Sequence, residues 1–237
     1  MEFLFVFVFG VILGSFANVL IYRIPKNLNL CLPFSFCPQC KKTLLWRDKI
    51  PLFSYLFLNK KCRHCQSKIP FWYFLSECLG GFFAVFSFYH YGIGGIVCFF
   101  LCLFFYTLYV IDWYFLEIPN ILSFLTFGLG ICYGFYADLN AFYSPINPFL
   151  NAFVLMGIAS FLRLFIGSIC NKEVMGEGDI IVFGILGGAL GIFYAFVAIF
   201  IAAITTLCVM LVTKTYKMPF VPFLFFGFLL LLIVTTF

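Results

Sequence analysis

Two acids and four cysteines stand out in a chain that is otherwise almost wholly apolar. Asp112 lies in Val110-Ile111-Asp112-Trp113 and Asp179 in Met175-Gly176-Glu177-Gly178-Asp179, each at the edge of a long apolar run. An ionised side chain held within a bilayer-spanning stretch costs about 2.5–3.5 kcal/mol even on insertion scales, so acids in such places are functional candidates. Brought together, two carboxylates about 3 Å apart cannot both ionise and so share one proton. One can then draw a proton from water while the other protonates the leaving nitrogen of a peptide bond, and the pair titrates as a unit. The bland alternative is two unrelated interfacial acids. Gly176 and Gly178 permit backbone conformations closed to other residues and let a substrate main chain approach. A phosphate-binding loop is excluded, because Ile181 stands where a third glycine would fall and no strand precedes it.

Cys37-Pro38-Gln39-Cys40 and Cys62-Arg63-His64-Cys65 are two Cys-x-x-Cys knuckles with 21 residues between them. That spacing suits a tetrahedral zinc site in which Cys37, Cys40, Cys62 and Cys65 saturate the metal and leave no open position. Four unliganded thiols are the alternative. His64 is expected at the surface, and Cys31 falls outside the knuckle spacing. Cys78, Cys98, Cys102, Cys132, Cys170 and Cys208 lie in or beside apolar runs, where cysteine acts as a small apolar residue.

The elements that must position these residues follow from composition. With 65% hydrophobic residues, 38 phenylalanines and 10% charged residues, the chain is expected to be an all-α polytopic membrane protein. The apolar runs predict about eight transmembrane helices, at 2–22, 71–91, 94–112, 118–136, 148–168, 179–192, 194–213 and 219–237, with the sixth/seventh cut at Ile192-Phe193-Tyr194. Three parts result: a first transmembrane helix (1–22), a small zinc-binding loop domain (23–70) and a seven-helix core (71–237). The first run lacks a basic start and a small-residue cleavage site, so it is expected to be retained. A 48-residue polar loop has little core of its own, and metal binding would supply much of its stability.

Charge sets the orientation. Ten of the 14 Lys and Arg lie in 23–70, which the positive-inside rule makes cytoplasmic, with the N-terminus outside. Counting spans from there also puts the loops carrying Lys172, and Lys214 with Lys217, inside, while the loops around His90 to Gly95 and from Ala137 to Asn147 fall outside and hold no Lys or Arg. Asp112 and Asp179, 67 positions apart, then reach the same cytoplasmic surface. That is what a shared site requires.

Other polar residues carry weaker expectations. Asn18 is either helix-to-helix glue or part of an active-site lining. Tyr22 and Arg23 are expected as interface anchors, with Pro25 ending the helix. Glu77 and Arg163 sit at similar depth and are expected to pair or share a network, the alternative being that each snorkels separately. Pro119 suits the first turn of the fourth helix, and Glu117 and Asp138 are read as surface acids. Gly184, Gly187, Gly188 and Gly191 are read as helix-packing positions.

Taken together, Gly14-Ser15-Phe16 with Asn18, Tyr22-Arg23-Ile24-Pro25, both knuckles with Ile50-Pro51-Leu52 between them, Asp112 and Met175 to Asp179 resemble the type IV prepilin peptidases. These are membrane aspartic peptidases of the GxGD type that are also N-methyltransferases. The resemblance spans nearly the whole chain, in order. It implies that Asp112 and Asp179 are the catalytic pair and that the four cysteines form the metal-binding motif associated with methylation. It also implies removal of a basic leader, usually after a glycine, from type IV prepilins or type II secretion pseudopilins at the cytoplasmic side of the bacterial inner membrane. Methylation of the new N-terminal residue, commonly phenylalanine, by S-adenosylmethionine would follow. No nucleic acid is an expected partner, whereas membrane lipid is, since the loop at ten basic residues against Asp48 favours anionic head groups. Ile181 replaces a lysine common in the family, and Glu177 adds negative charge beside the pair. With Glu117 and Glu173 it suggests an acidic patch for a basic leader. The alternatives are a peptidase without methyltransferase activity and a non-enzymatic membrane scaffold with a zinc docking loop.

Overall fold

The computed structural model describes residues 1–30, 32, 34–137, 147–171, 175–215 and 218–236. Cys31, Asp138 with most of the expected external loop around it, Lys172, Glu173, Lys217 and the side chain of Cys170 lie outside the described residues. The described residues are helical without β-strands, and they fall into two compact units, Met1–Phe99 and Phe100–Phe237.

In the first unit, α1 (Glu2–Arg23) packs on α3 (Phe71–Tyr91), with the cysteine loop and a short helix α2 (Phe53–Phe57) between them in sequence. Missing side chains let the two long helices close up. A Cβ on Gly14 would come within 2.5 Å of the Ser76 carbonyl oxygen, and one on Gly80 within 2.8 Å of Gly14 Cα. At this seam the Asn18 amide donates to the Tyr73 carbonyl at 3.2 Å, so the inter-helix role holds for that residue. Arg23 differs from expectation. It is buried and donates to the carbonyls of Asn29 and Leu30 at 2.8 and 2.9 Å, because the chain leaving α1 folds back over it.

The two cysteine knuckles are copies of one turn offset by 25 residues. In each, the first cysteine donates its N–H to the carbonyl five residues on, Cys37 to Lys42 at 3.0 Å and Cys62 to Ser67 at 2.8 Å. Lys41 and Gln66 return bonds to the carbonyls of Cys37 and Cys62 at positive φ, and single antiparallel bridges, Phe36 to Thr43 and Lys61 to Lys68, close the turns. Arg63 grips the buried Asp48 carboxylate through Nε and Nη2 at 2.7–3.2 Å.

The second unit holds most of α4 (Gly95–Phe115), then α5 (Asn120–Ala137), α6 (Pro148–Cys170), α7 (Glu177–Thr213) and α8 (Val221–Thr236). Pro119 accepts the first helical bond of α5, from Ser123 N at 3.0 Å, and so stands just before the helix. The first half of α7 packs on α5 and α6 through its glycines: a Cβ on Gly187 would meet the Asn151 carbonyl at 2.7 Å, and one on Gly184 would meet Met156 Sδ at 2.8 Å. α4 is tied to α8 by aromatic rings, Phe105 to Phe225 and Phe228 at 5.2 and 5.3 Å and Tyr109 stacked on Phe225 at 5.8 Å.

The count of about eight transmembrane helices turns on α7, which is two helices joined at a break. Apart from α7, six apolar helices of 16–23 residues are present among the described residues, and α7 spans 37 residues as two apolar segments, the longer of a length suited to a hydrocarbon core of about 30 Å. It is broken only at Gly191, at φ 74° and ψ 169°. The expected boundary at 192–194 is thus a one-residue break, because Ile192-Phe193-Tyr194 offers no polar loop residue to end a helix. Large apolar side chains such as Ile121, Leu164 and Leu211 stand exposed along the helices, as lipid-facing positions do. The chain is a multi-pass membrane protein.

Candidate active site and metal centre

Asp112 and Asp179 both belong to the second unit, at helix ends. Asp112 lies in the last turn of α4 and is 5% exposed. Its Oδ2 accepts the backbone N–H of Val221, the first residue of α8, at 3.1 Å. The start of a helix carries unpaired N–H groups and the positive end of the helix dipole, so the carboxylate occupies an anion site provided by α8. Nothing about Asp112 alone announces that partner. The available signal is Met218-Pro219-Phe220-Val221-Pro222, in which prolines bracket a helix start.

Asp179 is the third residue of α7, half-buried, and its Oδ2 accepts the N–H of Gly176 at 3.3 Å. That is one arm of a capping box, in which the acid at the third position satisfies an N–H at the helix start. The α7 dipole also favours its negative charge. The two carboxyls lie within range of each other's charge. Each carboxyl keeps acceptor capacity beyond these backbone bonds.

The glycines flanking Asp179 act differently from expectation. A Cβ on Gly178 would lie 2.5 Å from Ile118 Cβ and 2.8 Å from its Cδ1, so Ile118, not a substrate main chain, fills the space that glycine leaves. Gly178 therefore brings the α4–α5 connection, which follows Asp112, against the turn that carries Asp179. Gly176 serves as the helix cap.

Glu77 and Arg163 each have partners within their own unit. Both Glu77 oxygens have other donors, Ser15 Oγ at 2.8 Å and Leu52 N at 2.7 Å, while Arg163 meets Glu177 at 3.4 Å. The loop before α3 supplies a nearer donor to Glu77, and the first residue of α7 a nearer acid to Arg163. Glu177 is 85% exposed, so that ion pair is screened and weak. Glu117 is exposed, as expected of a loop acid.

In the first unit the Sγ atoms of Cys37, Cys40, Cys62 and Cys65 all lie within 4.8 Å of one another. Four thiolates around zinc at about 2.3 Å in tetrahedral geometry require sulfur separations of about 3.8 Å, and Cys37 and Cys65 stand at 3.8 Å. The donor set and its spacing fit a closed four-sulfur site able to hold a metal ion. The Ser67 hydroxyl, 3.0 Å from Cys65 Sγ, holds that thiol down to about 6, which favours the thiolate a metal needs. His64 is exposed and outside the cluster.

Comparison with known proteins agrees with this division. Residues 8–91 match the Bacterial Peptidase A24 N-terminal domain, and residues 98–211 match the Type IV leader peptidase family. The chain is 35% identical to a prepilin leader peptidase/N-methyltransferase of Vibrio cholerae over 81% of its own length and 80% of that protein. It is 33% identical to one of Klebsiella pneumoniae (79% and 84%) and 32% identical to one of Bacillus subtilis (78% and 73%). No solved structure matches the chain. With both segments matched in order and identity above 30% across about four fifths of its length, the chain belongs to the type IV leader peptidase family and is a membrane peptidase.

Proposed function

We propose that the chain removes the basic leader from type IV prepilins and type II secretion pseudopilins at the cytoplasmic face of the bacterial inner membrane, with Asp112 and Asp179 as its catalytic pair. It then methylates the new N-terminal residue from S-adenosylmethionine. The relatives that share about a third of its residues are named for both steps.

The observation that carries the proteolytic half is the pair of helix ends: the last turn of α4 and the first turn of α7 each present one carboxylate, each with an oxygen tethered to a helix-start N–H. In the reaction one carboxylate, ionised, takes a proton from water as the oxygen attacks the scissile carbonyl. The other, protonated, gives its proton to the departing nitrogen. Each tether holds one carboxyl oxygen, which reduces the side-chain reorganisation needed during transfer. Cys37, Cys40, Cys62 and Cys65 would hold zinc in a structural role, since four sulfurs leave no coordination position for substrate.

The basic loop and Lys214 support an orientation with both acids inside, where the leader of an inserted prepilin also lies. Co-expression with a prepilin, followed by mass measurement of the product N-terminus, tests both halves. A product cleaved after the leader and heavier by one methyl group is expected. A cleaved but unmethylated product would restrict the chain to peptidase activity, and an uncleaved one would leave a scaffold.

A further inference from the structure

The first unit has an open-mouthed cleft of about 310 Å³ between α1, α3 and the cysteine loop, at the lower end of the ~300–1,000 Å³ of small-molecule sites. Asp112 and Asp179 lie in the other unit, so the proposed cleavage gives this cavity no role.

Three features of its wall specify a ligand. Glu77 lines it from within α3, only 7% exposed, and its two hydrogen bonds come from neutral donors, Ser15 Oγ and Leu52 N. A carboxylate offers about four acceptor sites, and among the described residues no Lys or Arg forms an ion pair with it. A buried carboxylate without a counter-charge is costly, and a cationic ligand removes that cost. Tyr22, Tyr73 and Phe74 present aromatic rings to the same space, suited to a flat heterocycle and to a cation over a ring face. Asn18 adds an amide, and Lys49, Lys68 and the buried Arg23, whose guanidinium also donates to the Asn29 and Leu30 carbonyls, add positive charge that suits a ligand carboxylate. A cation, a flat heterocycle and a carboxylate occur together in an adenosyl sulfonium.

We infer that this cavity is the binding site of the methyl donor, S-adenosylmethionine, with Glu77 as the counter-charge to its sulfonium. The inference rests on the methyltransferase half of the proposed function and is independent of the aspartate pair. In the transfer, the lone pair of the new N-terminal amine forms the nitrogen–carbon bond as the methyl–sulfur bond breaks. The bonding electrons stay on sulfur, and the amine loses a proton to water. The sulfur is thereby neutral in the product, S-adenosylhomocysteine, so Glu77 favours donor over product. Cys37 and Cys62 also line the cavity, which makes the metal cluster part of its wall.

The test is calorimetric titration of the full chain in lipid nanodiscs with S-adenosylmethionine and with S-adenosylhomocysteine. The wild type should prefer the donor. Glu77→Gln, which keeps the shape, should weaken donor binding about tenfold, the scale of a partly buried charge pair, and product binding no more than about twofold. Val19→Phe, which fills the cavity from α1, should weaken both. Retained metal and a monodisperse sample identify folded variants. Photolabelling of the wild type with methyl-tritiated donor, which needs no variant, should mark peptides between 15 and 77. Label confined to 100–237, or equal effects of Glu77→Gln on both ligands, would overturn the inference and leave the methyltransferase reading standing. A wild type that binds no donor would remove the inference and the methylation half together, while cleavage would be unaffected.

Discussion

Val221 donates its backbone N–H to Asp112 Oδ2 at 3.1 Å, joining residues 109 positions apart in the chain. The start of α8 thus holds one oxygen of a candidate catalytic acid in place, and the position of α8 depends in turn on aromatic packing against α4. Phe225 is the centre of that packing, in contact with Phe105, Tyr106 and Tyr109. Phe225→Ala should cost about 3–5 kcal/mol as a large-to-small change in a packed site. Phe225→Tyr should cost far less. Thermal inactivation of leader cleavage in isolated membranes would follow the difference, with the Ala variant inactivating at a clearly lower temperature.

The contact between Gly178 and Ile118 makes a second prediction. A methyl group on Gly178 would enter the Ile118 side chain, and overpacking of this kind costs about 1–3 kcal/mol. Gly178→Ala should therefore lower the rate of cleavage, and Gly178→Ala combined with Ile118→Ala should recover part of it. Equal activity of the single and double variants, measured by prepilin processing, would show that Ile118 is not what the glycine accommodates.

Ser67 touches two of the cluster sulfurs, Cys65 at 3.0 Å and Cys37 at 3.9 Å. Partners outside a metal's ligand shell typically contribute about 10–100-fold in affinity. Ser67→Ala should weaken metal retention by about that factor in competition with a chelator. Cys37→Ser should abolish it at the same chelator concentration.

Arg163 and Glu177 form an exposed ion pair at 3.4 Å, so part of the negative charge expected to attract a basic leader is already neutralised. Arg163→Gln should then improve the apparent affinity for a basic-leader substrate, and Glu177→Gln should weaken it. Both effects should be larger at about 0.01 M than at about 0.15 M salt, where the screening length falls from about 30 to about 8 Å. Effects on KM that do not change with salt would remove the electrostatic account of leader binding.

Much of this was legible in the sequence because the bilayer leaves few choices. Apolar runs of about 20 residues had to be helices, and the seven long helices fall where the runs do. The four cysteines were legible because metal ligation is written in spacing, and their two turns carry the same offsets. The site's partners were less accessible. Val221 reaches Asp112 through backbone, which no side-chain pattern announces, and the partners found for Glu77 and Arg163 were not legible because depth alone does not say which neighbours lie nearer. Ser15 and Leu52 are the partners of one, Glu177 of the other. At Gly191 one residue separates two helical segments without a polar loop, so apolar patterning places the cut at 192–194, next to the break but not on it.

The most direct measurement is prepilin cleavage in membranes carrying Asp112→Asn, Asp179→Asn or both. Asn keeps the shape and the acceptor oxygen for Val221 or Gly176 but can neither take up nor deliver the shared proton. Each single variant should lose at least about a hundredfold in rate, and the double variant should be no worse than either, as groups acting as one unit are. A single variant that still cleaves at the wild-type rate, or losses that multiply in the double variant, would contradict a catalytic pair.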